Sequence, residues 1–233
     1  MKYKLYLIAL LFALTSFAPN LSKDISPKGL VFVSPSVKVE MLYNSLDANN
    51  FKLPSLKSFT FGILGFENLK QQGKINNNYL TIVDYSLSSK SDRLWVIDMD
   101  ENKIIFHTLV AHGKNSGEDY ASSFSNTIDS NKSSLGFFTT GETYIGQHGL
   151  SLKLDGLEKG INDKARLRAI VVHGADYVSK NFIAEHNRLG RSQGCPALPV
   201  GLSKKIIQTI KNKSCLFIYY PSNDYERNSK LIS

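Results

Sequence analysis

The sequence predicts a mainly β protein of the α+β class, with a β-rich sandwich or barrel core preceded by an N-terminal helical hairpin. Three observations lead to this fold class. Two segments before residue 76 carry apolar residues at helical spacing. From Tyr79 onward, short apolar runs alternate with polar residues, as they do in half-buried strands. Only one later segment, 201–212, again has the pattern of an amphipathic helix, and the 233 residues are enough for one sizeable core.

The first predicted helix begins at Ser34-Pro35, where the serine would cap the helix and the proline would occupy its first position. Its apolar stripe would consist of Val37, Met41, Leu42 and Leu46. The second predicted helix covers about 58–72, and Gly73 follows it as a C-cap. Its apolar face would consist of Phe59, Ile63, Phe66 and Leu69. We expect these two helices to pair as a hairpin.

The β-rich part begins with a predicted meander of antiparallel strands. Leu80 and Ile82 alternate with polar residues in the first strand, and a second strand follows around Leu94. A turn at 100–103 returns the chain into a third strand at 104–110. Later strand-like segments lie at 135–140, 150–154, 169–173 and 215–220. Residues 113–134 lack periodicity, and a loop of this length is usually functional or partly disordered.

The first twenty residues resemble a secretory signal peptide. Lys2 and Lys4 form a basic start, and residues 5–13 are an apolar run too short for a comfortable membrane span. The alternative is a buried N-terminal helix. We therefore predict a signal peptide (1–20), an N-terminal helical segment (21–76), a β-rich domain (77–222) and a polar tail (223–233) that frays. This organisation predicts export to the periplasm or cell envelope, and no second membrane span is evident.

The formal net charge is +8, and it falls to +6 if Lys2 and Lys4 are removed with the signal peptide. Such a charge could attract anionic polymers, although a solvated surface explains it more simply. No basic run interleaved with aromatic residues predicts nucleic-acid binding. No glycine-rich loop of the phosphate-binding kind predicts a nucleotide. We therefore expect neither partner, and no cofactor.

Residues 169–198 carry the candidate chemistry. A predicted strand ends in His173-Gly174, and a polar connection leads to Cys195, which lies between Gly194 and Pro196. This setting is unsuited to a regular element and is typical of a thiol on a loop. A thiol needs a base to become a thiolate, and a histidine can take the proton and later return it to a leaving amine. The sequence therefore predicts a cysteine nucleophile with a histidine base.

Neighbouring groups could support this chemistry. Arg191 would favour the thiolate if it pointed inward. The backbone amides of Gly194 and Cys195 could form an oxyanion hole for a tetrahedral intermediate.

Several alternatives stay open on the residues alone. His112, which precedes Gly113 at another strand end, rivals His173 as the base. A Cys195–Cys215 disulfide, natural in an exported protein, would remove the nucleophile, and Cys195 could instead be a structural residue. A zinc site could use His148, His173, His186 and Cys195. These residues lack the paired spacing of known zinc motifs, so we expect no metal.

The segment 169–174, followed by Ser192-Gln193-Gly194-Cys195, resembles the signature of the L,D-transpeptidase catalytic domain of peptidoglycan synthesis. Further blocks resemble a divergent murein L,D-transpeptidase branch and occur in the same order. These blocks are 110–117, 124–126, 133–136 and 190–198. The resemblance as a whole covers about 79–220, so the sequence is identified as a member of this family, with the family's β-rich fold.

The resemblance implies roles for individual residues. Cys195 matches the nucleophile and His173 the base, while Gly174 would orient the imidazole through its carbonyl group. Gly194 and Cys195 match the amides of the oxyanion hole. The substrate-binding candidates are Ser192, Arg191, Gln193, Gly136 and His112. The implied partners are peptidoglycan stem peptides, and acylation of Cys195 by carbapenems is an implied liability.

The resemblance also implies a reaction. The thiolate attacks a donor stem peptide, D-alanine leaves, and an acceptor amine resolves the thioester acyl-enzyme. Gln193 replaces the histidine of the family's Ser-His-Gly-Cys pattern, and Pro196-Ala197 replaces a polar or arginine-containing continuation. The alternatives are therefore an L,D-carboxypeptidase or endopeptidase on the same peptides, or a non-catalytic wall-binding protein. The donor, the acceptor and the oligomeric state do not follow from the sequence.

Overall fold

The computed structural model describes residues 34–233, which fold around one eight-stranded sheet. The predicted signal peptide, 1–20, lies outside the described residues. The helices are α1 (Pro35–Asn44), α2 (Leu56–Gln71), α3 (Lys180–His186), α4 (Val200–Ile210) and α5 (Asn223–Asn228). The strands are β1 (Tyr79–Asp84), β2 (Leu94–Asp98), β3 (Lys103–Thr108), β4 (Gly136–Gly146), β5 (Gly149–Gly156), β6 (Val171–Gly174), β7 (Ala197–Leu198) and β8 (Cys215–Tyr219). Between residues 34 and 233, no helix is long and apolar enough to cross a membrane.

Both N-terminal helices begin at serine caps. Ser34 Oγ accepts a hydrogen bond from Val37 N at 3.4 Å, and Ser55 caps α2 in the same way. The predicted apolar stripe of α1 is wrong in part, because Val37 and Met41 are 46% and 62% exposed whereas Val39 is buried. Since α1 packs mainly against α2, little of its surface is covered by the rest of the fold.

The prediction for α2 is confirmed. All four residues of its predicted apolar face are buried, and Gly73 follows the helix with φ +64°, a conformation that favours glycine. Tyr43 of α1 contacts Phe59 of α2 edge to face, with ring centroids 5.2 Å apart. The two helices therefore pair as predicted.

The sheet has the strand order β3-β2-β1-β8-β4-β5-β6-β7, which confirms the antiparallel meander of β1 to β3. β8 lies between β1 and β4, parallel to the first and antiparallel to the second. α2 covers one face of β1 so closely that a Cβ on Gly62 would lie 3.2 Å from Ile82 Cδ1. Thr81 and Val83, on the other face, are fully buried too. The strand is therefore buried on both faces, although its sequence alternates.

The two ends of the sheet meet shortly after β3. Ala111 exchanges backbone hydrogen bonds with Ala197 of β7, at N···O distances of 2.9 and 3.4 Å. Gly113 forms a second bridge to Ser192. These contacts nearly close the sheet into the predicted barrel-like core. They also bring the segment after β3 against the turn that precedes β7.

The tail after Pro221 does not fray, so this prediction is wrong. Residues 223–228 form α5, and Tyr225 and Leu231 are buried. The buried carboxylate of Glu158 accepts hydrogen bonds from the hydroxyl groups of Tyr225, at 3.1 Å, and Ser229. The polarity of the tail could not reveal this distant partner.

Candidate active site

A cavity of about 590 Å³ lies beside the point where the sheet closes. The predicted site residues in its lining are His173, Arg191, Ser192, Gln193 and Cys195. The β4–β5 turn contributes to a second wall and residues 128–131 to a third. The fold therefore brings together a strand end and a turn that are well separated in sequence.

Cys195 lies on the turn between α3 and β7 and is half-buried. Its Sγ accepts a hydrogen bond from Val171 N at 3.4 Å and lies 3.8 Å from the Ala169 carbonyl oxygen. Burial raises the pKa of the Cys195 thiol, while the Val171 amide and the charge of Arg168 oppose that rise. The resting thiol is therefore protonated at neutral pH and needs a base before it can attack.

The second cysteine does not compete for this thiol. Cys215 is fully buried in β8, where it pairs with Leu80 and Thr139, and both cysteines are free. The predicted alternative of a Cys195–Cys215 disulfide is wrong, because β8 runs through the middle of the sheet while Cys195 precedes its last strand.

The turn before Cys195 is held by Ser192. Its Oγ donates to the Cys195 carbonyl oxygen at 2.6 Å and accepts from Gly194 N at 3.0 Å. Gly194 has φ +122°, and a Cβ there would lie 2.9 Å from the Lys132 carbonyl oxygen, so the position requires glycine. Of the two predicted oxyanion-hole amides, that of Gly194 is already bonded, whereas that of Cys195 has no acceptor within residues 34–233. Ser192 therefore shapes the turn, although it also borders the cavity.

His173 is the last residue but one of β6 and is only 3% exposed. Its Nδ1 lies 2.9 Å from the Gly174 carbonyl oxygen, which can only accept, so Nδ1 carries the proton and Nε2 can receive one. Burial lowers the pKa of His173, so the neutral imidazole prevails at neutral pH. The Gly174 carbonyl thus holds the imidazole in the way that the family resemblance implies.

The thiol and the imidazole reach the cavity from neighbouring positions. The amide of Val171 contacts Sγ, and His173 follows Val171 by two residues in β6. The side chains of these two residues therefore lie on the same face of the strand, roughly 7 Å apart along it. The Cys195 thiol contacts the Val171 amide rather than the imidazole. Proton transfer between the two groups would require the thiol to turn towards His173, and catalytic hydrogen bonds are often long before substrate binds.

His112, the rival base, lies in a different environment. It is 1% exposed, its Nδ1 accepts from Arg93 Nη2 at 2.8 Å, and its Nε2 donates to the Gly117 carbonyl oxygen at 3.2 Å. Burial, with the nearby charge of Arg93, lowers the pKa of His112 to about 4. Both ring nitrogens are used and the ring does not border the cavity. Neither the base role nor the predicted substrate contact fits this residue.

The remaining substrate-binding candidates divide into two groups. Arg191 borders the cavity, but its guanidinium donates to Glu118 Oε1 at 2.6 Å and to two backbone carbonyl groups, and Gln193 is exposed at the cavity. Gly136 lies buried at the start of β4 with φ +94°, where a Cβ would collide with the Glu158 carboxylate. The structure makes Gly136 a backbone requirement of the strand and places it outside the cavity lining, so it does not support the predicted substrate contact.

Two cavity residues, His148 and Arg168, were not predicted to take part in the transfer chemistry. His148 projects from the β4–β5 turn, and its ring stacks on that of His173 with centroids 4.4 Å apart. Arg168 precedes β6 and reaches the wall at 125–134. For His148, the available signal is a His-Gly pair between two predicted strand segments. For Arg168, it is only an arginine close to the strand that carries His173.

The zinc alternative lacks a ligand set. No three His, Cys, Asp or Glu side chains in the described part of the chain lie close enough together to hold a metal ion. His186, one of the four residues considered, lies on α3 and stacks on Phe182 with ring centroids 4.0 Å apart.

Comparisons with known proteins give one family match. The pattern of the L,D-transpeptidase catalytic domain matches residues 52–219. No curated protein sequence matches the chain. Among solved structures, it is similar to an L,D-transpeptidase from Mycobacterium smegmatis at 10% identity and a TM-score of 0.39, covering 61% of this chain and 59% of that one.

Two further solved structures are similar at the same level. LD transpeptidase LdtMt1 in complex with imipenem has 10% identity and a TM-score of 0.40, with 62% of this chain and 60% of that one covered. The helical cell shape determining protein Pgp2 from Campylobacter jejuni has 16% identity and a TM-score of 0.42, with 77% and 62% covered. The chain spans about three fifths of the length of these structures.

The family match covers well over half of the chain and includes every residue that borders the cavity. It begins just before α2 and ends with β8, so it contains the whole sheet. The chain therefore belongs to the L,D-transpeptidase catalytic domain family.

Proposed function

We propose that the protein is an exported peptidoglycan L,D-transpeptidase with Cys195 as nucleophile and His173 as general base. One observation carries the proposal: a half-buried thiol and a neutral imidazole, held at Nδ1 by the Gly174 carbonyl, border the same cavity. Membership of the L,D-transpeptidase catalytic domain family supports acyl transfer between peptides of the cell wall as the reaction.

Acylation begins with a donor stem peptide in the cavity. His173 Nε2 takes the thiol proton, and Sγ attacks the carbonyl carbon of the diamino-acid residue. The negative charge of the tetrahedral intermediate lies on the former carbonyl oxygen, to which the Cys195 amide can donate. His173 then returns the proton to the nitrogen of the leaving D-alanine. The C–N bond breaks, and a thioester remains on Sγ.

Deacylation completes the exchange. An amine from a second stem peptide attacks the thioester carbonyl carbon, and His173 removes a proton from that nitrogen. The C–S bond breaks, and the proton passes to Sγ, so the resting thiol is restored. One amide bond is broken and one is formed, so the cross-link needs no nucleotide.

A hydrolase acting on the same peptides is the second candidate. Water would replace the acceptor amine at the thioester, which gives a carboxypeptidase or an endopeptidase. The observation that favours it is Gln193, exposed at the cavity where the family pattern has a histidine. Incubation of muropeptides with and without an added amine acceptor separates the two. Amine-exchanged or cross-linked products indicate transfer, and shortened stems alone indicate hydrolysis.

The proposed nucleophile is tested with Cys195→Ala and His173→Ala in a muropeptide assay. Both variants are expected to lose product formation because each removes one half of the proton-transfer pair. Cys215→Ala is the matched control, since it removes a thiol that is buried in β8. Cross-linking retained by both active-site variants would refute the assignment.

The same thiol chemistry predicts covalent acylation by carbapenems. Attack of Sγ on the strained lactam would leave one opened drug molecule on Cys195. Intact-mass measurement after incubation with imipenem should show a single adduct that Cys195→Ala abolishes. A non-catalytic wall-binding protein would give no adduct and no product.

Export is proposed from the basic start and apolar run of the first twenty residues. The test is the intact mass and the N-terminal sequence of the protein isolated from the cell envelope. A chain that has lost about twenty residues is expected, and a full-length chain confined to the cytoplasm contradicts export.

A further inference from the structure

Arg168 lies beside the cysteine turn, in a position that the proposed chemistry does not yet use. A Cβ on Gly194 would stand 3.3 Å from Arg168 Nη2, and Gly194 directly precedes Cys195. The arginine side chain is half-buried and borders the cavity. Its guanidinium is therefore a close neighbour of the nucleophile.

The same guanidinium holds one wall of the cavity. Nη1 donates to the Ser125 carbonyl oxygen at 2.7 Å and to the Ser134 hydroxyl. Nη2 donates to the Lys132 carbonyl oxygen at 2.6 Å and to Ser130 Oγ at 3.2 Å. One side chain thus fastens residues 125–134 next to the turn that carries Cys195.

All of these acceptors are neutral, and Arg168 has no carboxylate partner in the described part of the chain. Arg166, two residues earlier, offers a direct contrast, because it pairs with Glu142 at 2.7 Å and Asp155 at 2.6 Å. A charge withdrawn from water without a counter-charge is unfavourable. Arg168 therefore places an uncompensated positive charge beside the sulfur of Cys195.

Other titratable or charged groups also face Cys195. They are Tyr85, Asp129, Tyr144, His148, His173, Tyr177 and Arg191. Tyr85 and Tyr177 are neutral, because burial raises the pKa of each to about 12. Arg191 is paired with Glu118, and Asp129 is exposed, so water and salt screen its charge. Arg168 is thus the permanent positive charge near Cys195 that has no carboxylate partner among residues 34–233.

We propose that Arg168 is a positioning residue of the active site: it fastens the 125–134 wall to the cysteine turn and stabilises the thiolate of Cys195 with an unpaired positive charge. The inference rests on the proposed role of Cys195 as nucleophile. Burial keeps the resting thiol protonated, so the charge acts when His173 removes the proton. It then lowers the free energy of the thiolate and imidazolium pair relative to the neutral pair.

The test is the rate of Cys195 alkylation by iodoacetamide as a function of pH, measured on the full chain by peptide mapping. In Arg168→Met, the rise of the alkylation rate with pH is expected to shift to higher pH, and alkylation at pH 7 should slow about tenfold. The reason is that the thiolate loses its neighbouring cation. Arg168→Lys keeps the charge and should stay close to the wild-type profile. Arg166→Met is the matched control and should leave the profile unchanged, because Arg166 and its two carboxylate partners lie exposed on the surface, where water and salt screen their charges.

An unchanged profile in a folded Arg168→Met variant overturns the inference, and so does an equal shift in Arg166→Met. If Arg168→Met does not fold, Arg168→Lys decides. In Arg168→Lys we expect faster amide hydrogen exchange at 125–134, because hydrogen bonds of the guanidinium are lost, and an unchanged alkylation profile, because the charge is kept. A shifted alkylation profile in this variant rejects the electrostatic role of Arg168. The alkylation profile can also depend on Arg168 in a protein that catalyses neither transfer nor hydrolysis. That result would support this inference and contradict the proposed function.

Discussion

Two segments of the molecule carry nearly the same local sequence near a strand end: Val-Ala-His-Gly at 110–113 and Val-Val-His-Gly at 171–174. In the first, Arg93 and the Gly117 carbonyl occupy both ring nitrogens of His112. In the second, the Gly174 carbonyl holds one nitrogen of His173, and the ring borders the cavity. A shared local pattern thus gives one histidine a structural position and leaves the other available as a base.

The difference comes from the partners that the fold supplies. Arg93 is fully buried and donates to the carbonyl groups of Leu87 and Val110 as well as to His112. Within residues 34–233 no comparable donor approaches His173, where the β4–β5 turn contributes the stacked ring of His148. Substitution of His173 should therefore change the activity, and substitution of His112 should change the stability.

The largest expected effect is on catalysis at 171–174. His173→Gln should slow acyl-enzyme formation by about a thousandfold, because the thiol loses its proton acceptor while the polar volume is largely kept. The midpoint of thermal unfolding should change little. The measurement is the single-turnover rate followed by intact mass, and a rate within a few-fold of wild type would show that His173 is not the base.

The next largest effect is the dependence of stability on pH, which we expect from His112 in the segment 110–113. The folded-state pKa of His112 is about 4, below the unfolded value of 6.5, so the unfolded chain binds a proton more readily. Stability is then fully present above pH 6.5 and is lost as the pH falls towards 4, by on the order of 3 kcal/mol. Urea unfolding at several pH values measures this loss. His112→Gln, which can keep both hydrogen bonds without titrating, should flatten the slope, and an unchanged slope contradicts the prediction.

Removal of the His112 ring at constant pH gives a smaller loss. His112→Ala should lower the free energy of unfolding by about 2 kcal/mol, because a buried hydrogen bond of Arg93 loses its acceptor. Chemical denaturation at pH 7.5 measures the change. The rate of acylation per folded molecule should stay close to wild type. A large loss of that rate in a folded variant would give His112 a catalytic role after all.

The smallest effect is expected at the stacked pair. His148→Ala should raise the pKa of His173, because its ring becomes less buried and the charge of the neighbouring imidazole is removed. The acidic limb of the pH–rate profile then moves to higher pH. Proton NMR titration of the His173 ring follows the shift, with His186→Ala as control because that ring lies on α3. A lowered or unchanged pKa of His173 would reject the interaction.

Local sequence patterns predicted the elements that carry apolar residues at regular spacing or in a short run. α2, the β1–β3 meander, α4 and β8 were all evident from apolar periodicity or runs. The insertion of β8 beside β1 and the docking of α5 on Glu158 could not be predicted. Both depend on partners far away in sequence, which periodicity does not encode.

The candidate site divides in the same way. Cys195, His173 and the turn glycine Gly194 follow from motifs within short stretches. The choice between His112 and His173 does not, because their flanking residues are nearly identical. Arg168 was missed because its acceptors lie at 125–134, far away in sequence, and because its lack of a carboxylate partner among residues 34–233 is evident only in the folded protein.

The most direct measurement is acyl-enzyme formation from a donor stem peptide in three proteins: wild type, His173→Gln and His112→Gln. We predict an acyl group on Cys195 in wild type and in His112→Gln at similar rates, and strongly slowed acylation in His173→Gln. Equal slowing by the two histidine variants, or an acyl group on any residue other than Cys195, would contradict the assignment of nucleophile and base.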